Sequence, residues 1–164
     1  MKKVAVRVAG GLLFLLVAYA VYRWCRSDEA RIRELLAGMA ADFNAGSVGD
    51  CVDGLAADYR EELLKVRKEQ VHQYLVALWF REKDPKTGGF PFRVDISGEE
   101  VKVRIDPATS DRAEVELLAR FADVRREEGR SLWQVRIQAQ LAKVEGEWLV
   151  KSSRHENVEG RQPF

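Results

Sequence analysis

Residues Leu132–Ser153 read LWQVRIQAQLAKVEGEWLVKSS, and the alternation in this stretch decides the fold. Trp133, Val135, Ile137, Ala139 and Leu141 alternate with Gln134, Arg136, Gln138 and Gln140. That period of two gives a strand one dry face and one wet face. Glu145-Gly146 supplies a two-residue turn, because glycine accepts the positive φ that such a hairpin needs. Trp148 and Val150 resume the alternation on the return strand. A hairpin with one dry face requires a cover, and the chain upstream provides it.

The period stays at two back to Phe90. Phe92, Val94 and Ile96 alternate with Arg93 and Asp95, and Ser97-Gly98 reads as a turn. Val101, Val103 and Ile105 alternate with Lys102 and Arg104, then Asp106 to Asp111 makes a loop. Val115, Leu117, Ala119 and Phe121 alternate with Glu114, Glu116 and Arg120, and a charged turn over 125–130 leads into the hairpin. Five strands with short connections predict an antiparallel meander. Its outward positions mix Lys102, Arg104, Glu114, Glu116, Arg120 and Arg136, so neighbouring strands can pair opposite charges.

Before Phe90 the period is helical. Ser27-Asp28 offers an N-cap and Gly46 a stop. Ile32, Leu35, Leu36, Met39 and Phe43 between them form one apolar stripe. Ser47 to Asp50 resembles a capping box, and a short second helix follows with Val52, Leu55, Ala56 and Tyr59 on one side. A third helix is expected from Glu61 to about Lys83, with Leu64, Val71, Leu75 and Leu78 on its stripe, widened by Tyr74 and Trp79. Asp84-Pro85 and Gly88-Gly89 end it. Helices first and one sheet after them predict an α+β domain: three N-terminal helices on a curved antiparallel sheet of about five strands.

The 164 residues suffice for one such domain plus an extension. All 26 acidic residues lie after Arg26, whereas five of the 27 basic ones (Lys2, Lys3, Arg7, Arg23, Arg26) lie at or before it. Residues 27–164 thus carry 22 basic against 26 acidic side chains, and this mildly acidic domain lacks the basic stripe that nucleic-acid binding requires. Residues 1–26 read as a separate unit. The run Val8–Tyr22 is apolar, and starting at Val4 with Arg7 reaching to the headgroups brings 4–22 close to the length of a bilayer span. Tyr19, Tyr22 and Trp24 suit an interfacial belt, and the basic bias at Lys2, Lys3 and Arg7 places the N-terminus in the cytoplasm. The domain, 27–164, is then extracytoplasmic. The alternative is a cleaved signal with Ala18-Tyr19-Ala20 as its site, which would secrete the domain after cleavage near Ala20. Cys25 precedes the domain and Cys51 falls within it, and nothing in the spacing decides whether they pair.

Two stretches carry a family resemblance. Phe43-Asn44-Ala45-Gly46-Ser47-Val48-Gly49-Asp50, with Leu55 to Tyr59 after it, resembles the helix–helix junction of the nuclear transport factor 2-like superfamily. Val144 to Val150, VEGEWLV, resembles that family's closing strand pair. The superfamily includes SnoaL-like cyclases and ketosteroid isomerase on a cystatin-like cone. Over about residues 28–158 the resemblance implies a conical pocket between sheet and helices. Phe43, Tyr59, Leu75, Trp79, Phe121, Trp133 and Trp148 are the side chains expected to line it. It implies no activity, because this fold hosts isomerases, dehydratases and assembly subunits alike.

Motifs for chemistry are few. His72 and His155 lack ligand-type spacing, and His155-Glu156 is not a zinc motif because position 159 is Glu. No metal or other cofactor is expected, and both imidazoles read as surface groups. Arg154, His155 and Glu156 read as a solvated strand edge, or as the rim of a pocket or partner surface. For acid–base chemistry the candidates are Asp123, which continues the inward register of Phe121, and Tyr59 as a phenol from the helical layer. The alternative leaves Asp123 beside Arg125 and Arg126 in water. The expected function is a membrane-anchored binding or assembly domain for a protein partner or a small apolar ligand. A SnoaL-like isomerase, cyclase or dehydratase is the alternative, and a polar homodimer through the charged outer sheet face is the expected form of any self-association.

Overall fold

The computed structural model describes residues 27–96, 100–125 and 133–161. Helix α1 (Asp28–Ala45) is followed by a short α2 (Val48–Asp53), strand β1 (Leu55–Glu61) and α3 (Lys68–Glu82). Strands β2 (Phe92–Ile96), β3 (Lys102–Ile105), β4 (Arg112–Asp123), β5 (Trp133–Val144) and β6 (Glu147–Gly160) complete the domain. The architecture is α+β, with helices on one face of a mostly antiparallel six-stranded sheet.

The opening hairpin forms as its sequence requires. β5 pairs with β6 from Val144↔Glu147 onward, and the turn residues Glu145 and Gly146 both take positive φ, 51° and 86°. That is the left-handed pair of a two-residue hairpin turn. Helix α1 is capped at both ends. Ser27 Oγ accepts from Ala30 N at 3.2 Å, and Gly46 ends the helix at φ 75°. Ser47, expected to form a capping box, makes no side-chain cap bond.

Three expectations need correction. First, the chain after α2 is a strand. β1 runs parallel to β6, with Leu55 opposite Val150 and Glu61 opposite Ser153. Its register shifts between Leu55 and Arg60, and both Leu55 and Ala56 are buried. Strict alternation is therefore absent, and the pattern mimics a helix. The third helix accordingly starts at Lys68 instead of Glu61, and Leu64 lies outside it. Second, β2 and β3 do not form a hairpin with each other. Both pair with the long β4, β2 against residues 119–123 and β3 against 113–116, end to end along one side. Third, β6 is not an edge over its first half, because β1 pairs with it from Val150 to Ser153; Arg154, His155 and Glu156 lie past that pairing, on the open edge expected of them.

The free side of β2 is closed in another way. Asn44 on α1 donates from Nδ2 to the Val94 carbonyl (2.9 Å) and accepts at Oδ1 from the Val94 amide (2.6 Å). One side chain thus satisfies two backbone groups that would otherwise template strand addition. The principal core runs from Ile32 and Leu36 of α1 to Val115, Leu117, Leu141, Trp148 and Val150 of the sheet. A smaller cluster of Leu78, Phe90 and Phe92, flanked by Phe43 and Trp79, packs separately from it.

The proposed N-terminal span, the Cys25 thiol and the Ser97-Gly98 turn all lie outside the described residues. Among the described residues no helix is long and apolar enough to cross a membrane.

Candidate functional site

Two kinks in β6 shape the site. Opposite β5, Gln140 and Leu141 face Ser152 and Val150, so Lys151 is an extra residue, and Val158 is another between Asn157 and Glu159. Each extra residue bends the strand and reverses the alternation beyond it. Val150 points inward. Past the kink Ser153, His155 and Asn157 sit opposite Ala139, Ile137 and Val135, the inward residues of β5.

The inner face holds a cavity of about 340 Å³ that is open on one side. Its walls are almost wholly apolar: Leu36, Met39 and Phe43 from α1, Leu75 from α3, and Leu117 and Phe121 from β4 are among them. The polar groups on the wall are the Tyr59 hydroxyl, the Ser153 hydroxyl and the Cys51 thiol. Tyr59 and Ser153 share a 2.7 Å hydrogen bond that either oxygen can donate. Burial, reinforced by the charge on Glu61 and opposed by the Ser153 bond, pushes the Tyr59 phenol upward, so it stays protonated. Burial, with Asp42 adding to it, pushes the Cys51 thiol up to about 11, which makes it a poor nucleophile.

Two residues further along the same strand pair lies a second polar pair. Glu61 follows Tyr59 on β1 and His155 follows Ser153 on β6. The Glu61 carboxylate is buried, one oxygen accepting from the Leu64 amide and the other 3.3 Å from His155 Nδ1. Among the described residues Oε1 makes no hydrogen bond, the His155 contact being close but not aligned as one. His155 is half-buried, with the Trp133 ring edge-on at 6.5 Å. Trp133 itself donates to Asn157 Oδ1 at 2.8 Å and lies against Phe121. Neither Glu61 nor His155 reaches the cavity wall; they stand beyond Tyr59 and Ser153 on the same pair of strands.

Of the residues expected to line the pocket, Phe43, Tyr59, Leu75 and Phe121 do so. Trp79, Trp133 and Trp148 do not. Trp79 packs on the Leu78–Phe90–Phe92 cluster, close to Gly46, where an added Cβ would sit 2.9 Å from its Nε1. Trp148 is core at the opposite end, donating to Asp28 Oδ1 at 3.0 Å. Asp123 continues the inward register and is buried, but it does not face the cavity. Arg125 takes both its oxygens, Nε to Oδ1 at 2.9 Å and Nη2 to Oδ2 at 2.8 Å, and reaches on to Glu82 at 3.2 Å. Asp123 is therefore a clamp between the end of β4 and the end of α3, buried by its partner instead of solvated beside it. His72 is exposed on α3, while His155, read from sequence as a surface group, is turned inward by the Lys151 kink. Among the described residues no group of His, Cys, Asp and Glu is arranged to hold a metal ion.

No family model matches the sequence, and no curated protein matches it. Solved structures do. A Nostoc punctiforme protein of unknown function with a cystatin-like fold superposes with TM-score 0.61 at 17% identity, covering 80% of this chain and 91% of that one. A nuclear transport factor 2-like protein from Novosphingobium aromaticivorans gives 0.62 at 12% identity, covering 90% of each chain. A third, from the same organism and provisionally named a scytalone dehydratase, gives 0.60 at 12% identity, covering 80% and 85%. The chain has a cystatin-like fold. At such identities the likeness concerns the fold alone.

Proposed function

We propose that this chain is a binding domain for a small, largely apolar molecule carrying one oxygen or nitrogen function. The observation that carries this reading is the cavity itself. Its volume lies within the range of about 300–1,000 Å³ usual for small-molecule sites, and its apolar wall has one hydroxyl pair set into it. An apolar guest gains by leaving water, and its polar atom replaces one half of the Tyr59–Ser153 bond. The N-terminal apolar run, in this reading, holds the domain at a membrane with the domain on the extracytoplasmic side. A filled, purely structural core would have no space of this size.

Titration of the full-length chain in detergent with an apolar fluorescent naphthylamine tests it. One probe per chain is expected, weakened about tenfold by Ala40→Leu, which places methyl groups in the cavity. Absence of saturable binding to the wild-type chain contradicts the reading.

Glu61 and His155 favour a second reading, an isomerase or dehydratase acting on a guest long enough to reach past Tyr59 and Ser153 to His155. In this reading the Glu61 carboxylate, 3.3 Å from Nδ1, orients the imidazole once a guest is bound, His155 Nε2 passes a proton to or from the guest, and the Tyr59 phenol donates to a developing oxyanion. The provisional name of one Novosphingobium neighbour is of this class. If the molecule co-purifying with the protein takes up deuterium from heavy water with wild type but not with His155→Asn, this reading holds. No uptake with wild type contradicts it.

A further inference from the structure

Four of the seven large apolar side chains that stand exposed among the described residues, Leu63, Leu64, Tyr74 and Phe80, fall between positions 63 and 80. Leu63 and Leu64, 59% and 69% exposed, occupy the turn between β1 and α3. This turn is closed. Glu61 N donates to the Val66 carbonyl at 2.8 Å, Glu61 Oε2 accepts from Leu64 N, Arg60 bridges to Arg67, and Lys65 takes a left-handed φ of 59°. A lysine in that region is strained, so the turn spends conformational energy while keeping two leucines in water. On α3, Tyr74, Ala77 and Phe80 follow at intervals of three along the exposed face. Lys83 lies over the Phe80 ring at 5.0 Å.

Charge marks the same stretch. Residues 60–83 hold six basic and four acidic side chains, whereas the rest of 27–164 holds 16 basic and 22 acidic. Of the four acids Glu61 is buried, and Glu82 is paired with Arg81 and Arg125. The apolar stretch is thus the positive part of an acidic domain.

We infer that this face, the β1–α3 turn and the outer stripe of α3, rests on a lipid surface carrying anionic headgroups. Leu63 and Leu64 enter the acyl boundary, Tyr74 and Phe80 lie at headgroup depth, and Lys65, Arg67, Arg81 and Lys83 meet the phosphates. Exposed leucines on a turn whose charged neighbours in sequence are mostly cations suit a fluid interface better than a shaped protein groove. Chain length adds to this, and here the inference rests on the membrane tether proposed above. The apolar run ends at Tyr22, and α1 begins at Asp28, so the connection spans about 20 Å at full extension and keeps the domain near any bilayer that holds the run.

The test uses the full-length chain with Cys25→Ser and Cys51→Ala, labelled with an environment-sensitive fluorophore at Leu64→Cys or, as a control on the outer sheet face, at Lys102→Cys. It is mixed with phosphatidylcholine vesicles with or without phosphatidylglycerol. The Leu64→Cys label is expected to shift to the blue and to be quenched by brominated lipid, by about twofold more with the anionic lipid, while the Lys102→Cys label stays aqueous. Chain that floats with the vesicles while the Leu64→Cys label stays aqueous overturns this face but leaves the tether standing. Chain that fails to float overturns both. Equal signals in the two lipids overturn the anionic preference.

Discussion

The two ends of the cone are built from similar residues and do opposite things. At one end Trp148 is buried and its Nε1 is tied to Asp28, which also receives Lys143 at 3.0 Å; Arg31 adds a 2.8 Å bond to the Gly146 carbonyl. Helix α1 is thereby locked onto the β5–β6 hairpin. At the other end Phe43, Leu75 and Phe121 surround a cavity, and the polar contacts are set into its wall. The closed end supplies the stability that lets the open end remain unfilled. Packing defects cost free energy in proportion to the void they leave, so an open cone needs a solid floor.

The largest effect that would break this comparison is at the floor. Trp148→Ala removes the indole and its bond to Asp28, and is expected to cost about 3–5 kcal/mol in urea denaturation. A loss below about 1 kcal/mol would show that this end is not the floor. The same substitution at both ends sharpens the contrast. Ala113→Leu, at a 3% exposed site on β4 away from the cavity, is expected to cost about 1–3 kcal/mol by overpacking. Ala40→Leu, on the cavity wall, is expected to cost less than about 1 kcal/mol, because there is space for the added methyl groups. Equal costs would mean that the cavity closes in solution.

How much of this was legible in the sequence follows from the same geometry. The 144–147 turn, the caps of α1 and the dry face of β4 were readable because each rests on local rules: positive φ, capping and period two. β1 was not, since its adjacent buried residues Leu55 and Ala56 break the alternation and its partner β6 lies far along the chain. The cavity end was hidden for a related reason. The extra residue at Lys151 flips the side chains from Ser152 to Asn157, so that Ser153 and His155 turn inward where strict alternation would have placed Ser152 and Arg154. Asp123 was read in the correct register, but only the fold shows that Arg125 has taken both its oxygens. Trp148 and Trp133 were assigned to the pocket by size, and size does not reveal which end of a cone a residue occupies.

Two smaller effects complete the set. At the floor, burial tends to raise the Asp28 carboxyl, yet the bonds from Trp148 and Lys143, with the charges of Lys143 and Arg31, hold it below its ordinary value of 3.8. Its contribution is therefore fully present above that value and is lost as pH falls through the lower folded-state value. Asp28→Asn is expected to cost on the order of 1 kcal/mol at neutral pH and to leave stability flatter below pH about 4, as measured by urea midpoints across pH. A variant as steep as wild type there would assign the acid lability to another group. At the open end, Tyr59→Phe is expected to cost only about 0.5–1.5 kcal/mol, with Ser153 left to solvent or guest. Its larger consequence is a weaker guest, read by probe titration, and unchanged affinity would remove the hydroxyl pair from the site.

The most direct test of a hollow, occupied cone is native mass spectrometry of the full-length chain purified under gentle conditions. Wild type is expected to carry a discrete extra mass that leaves on collisional activation, and Ala40→Leu is expected to lose most of it while remaining folded. A wild-type chain that flies only at its bare mass, and binds no apolar probe afterwards, would contradict the account.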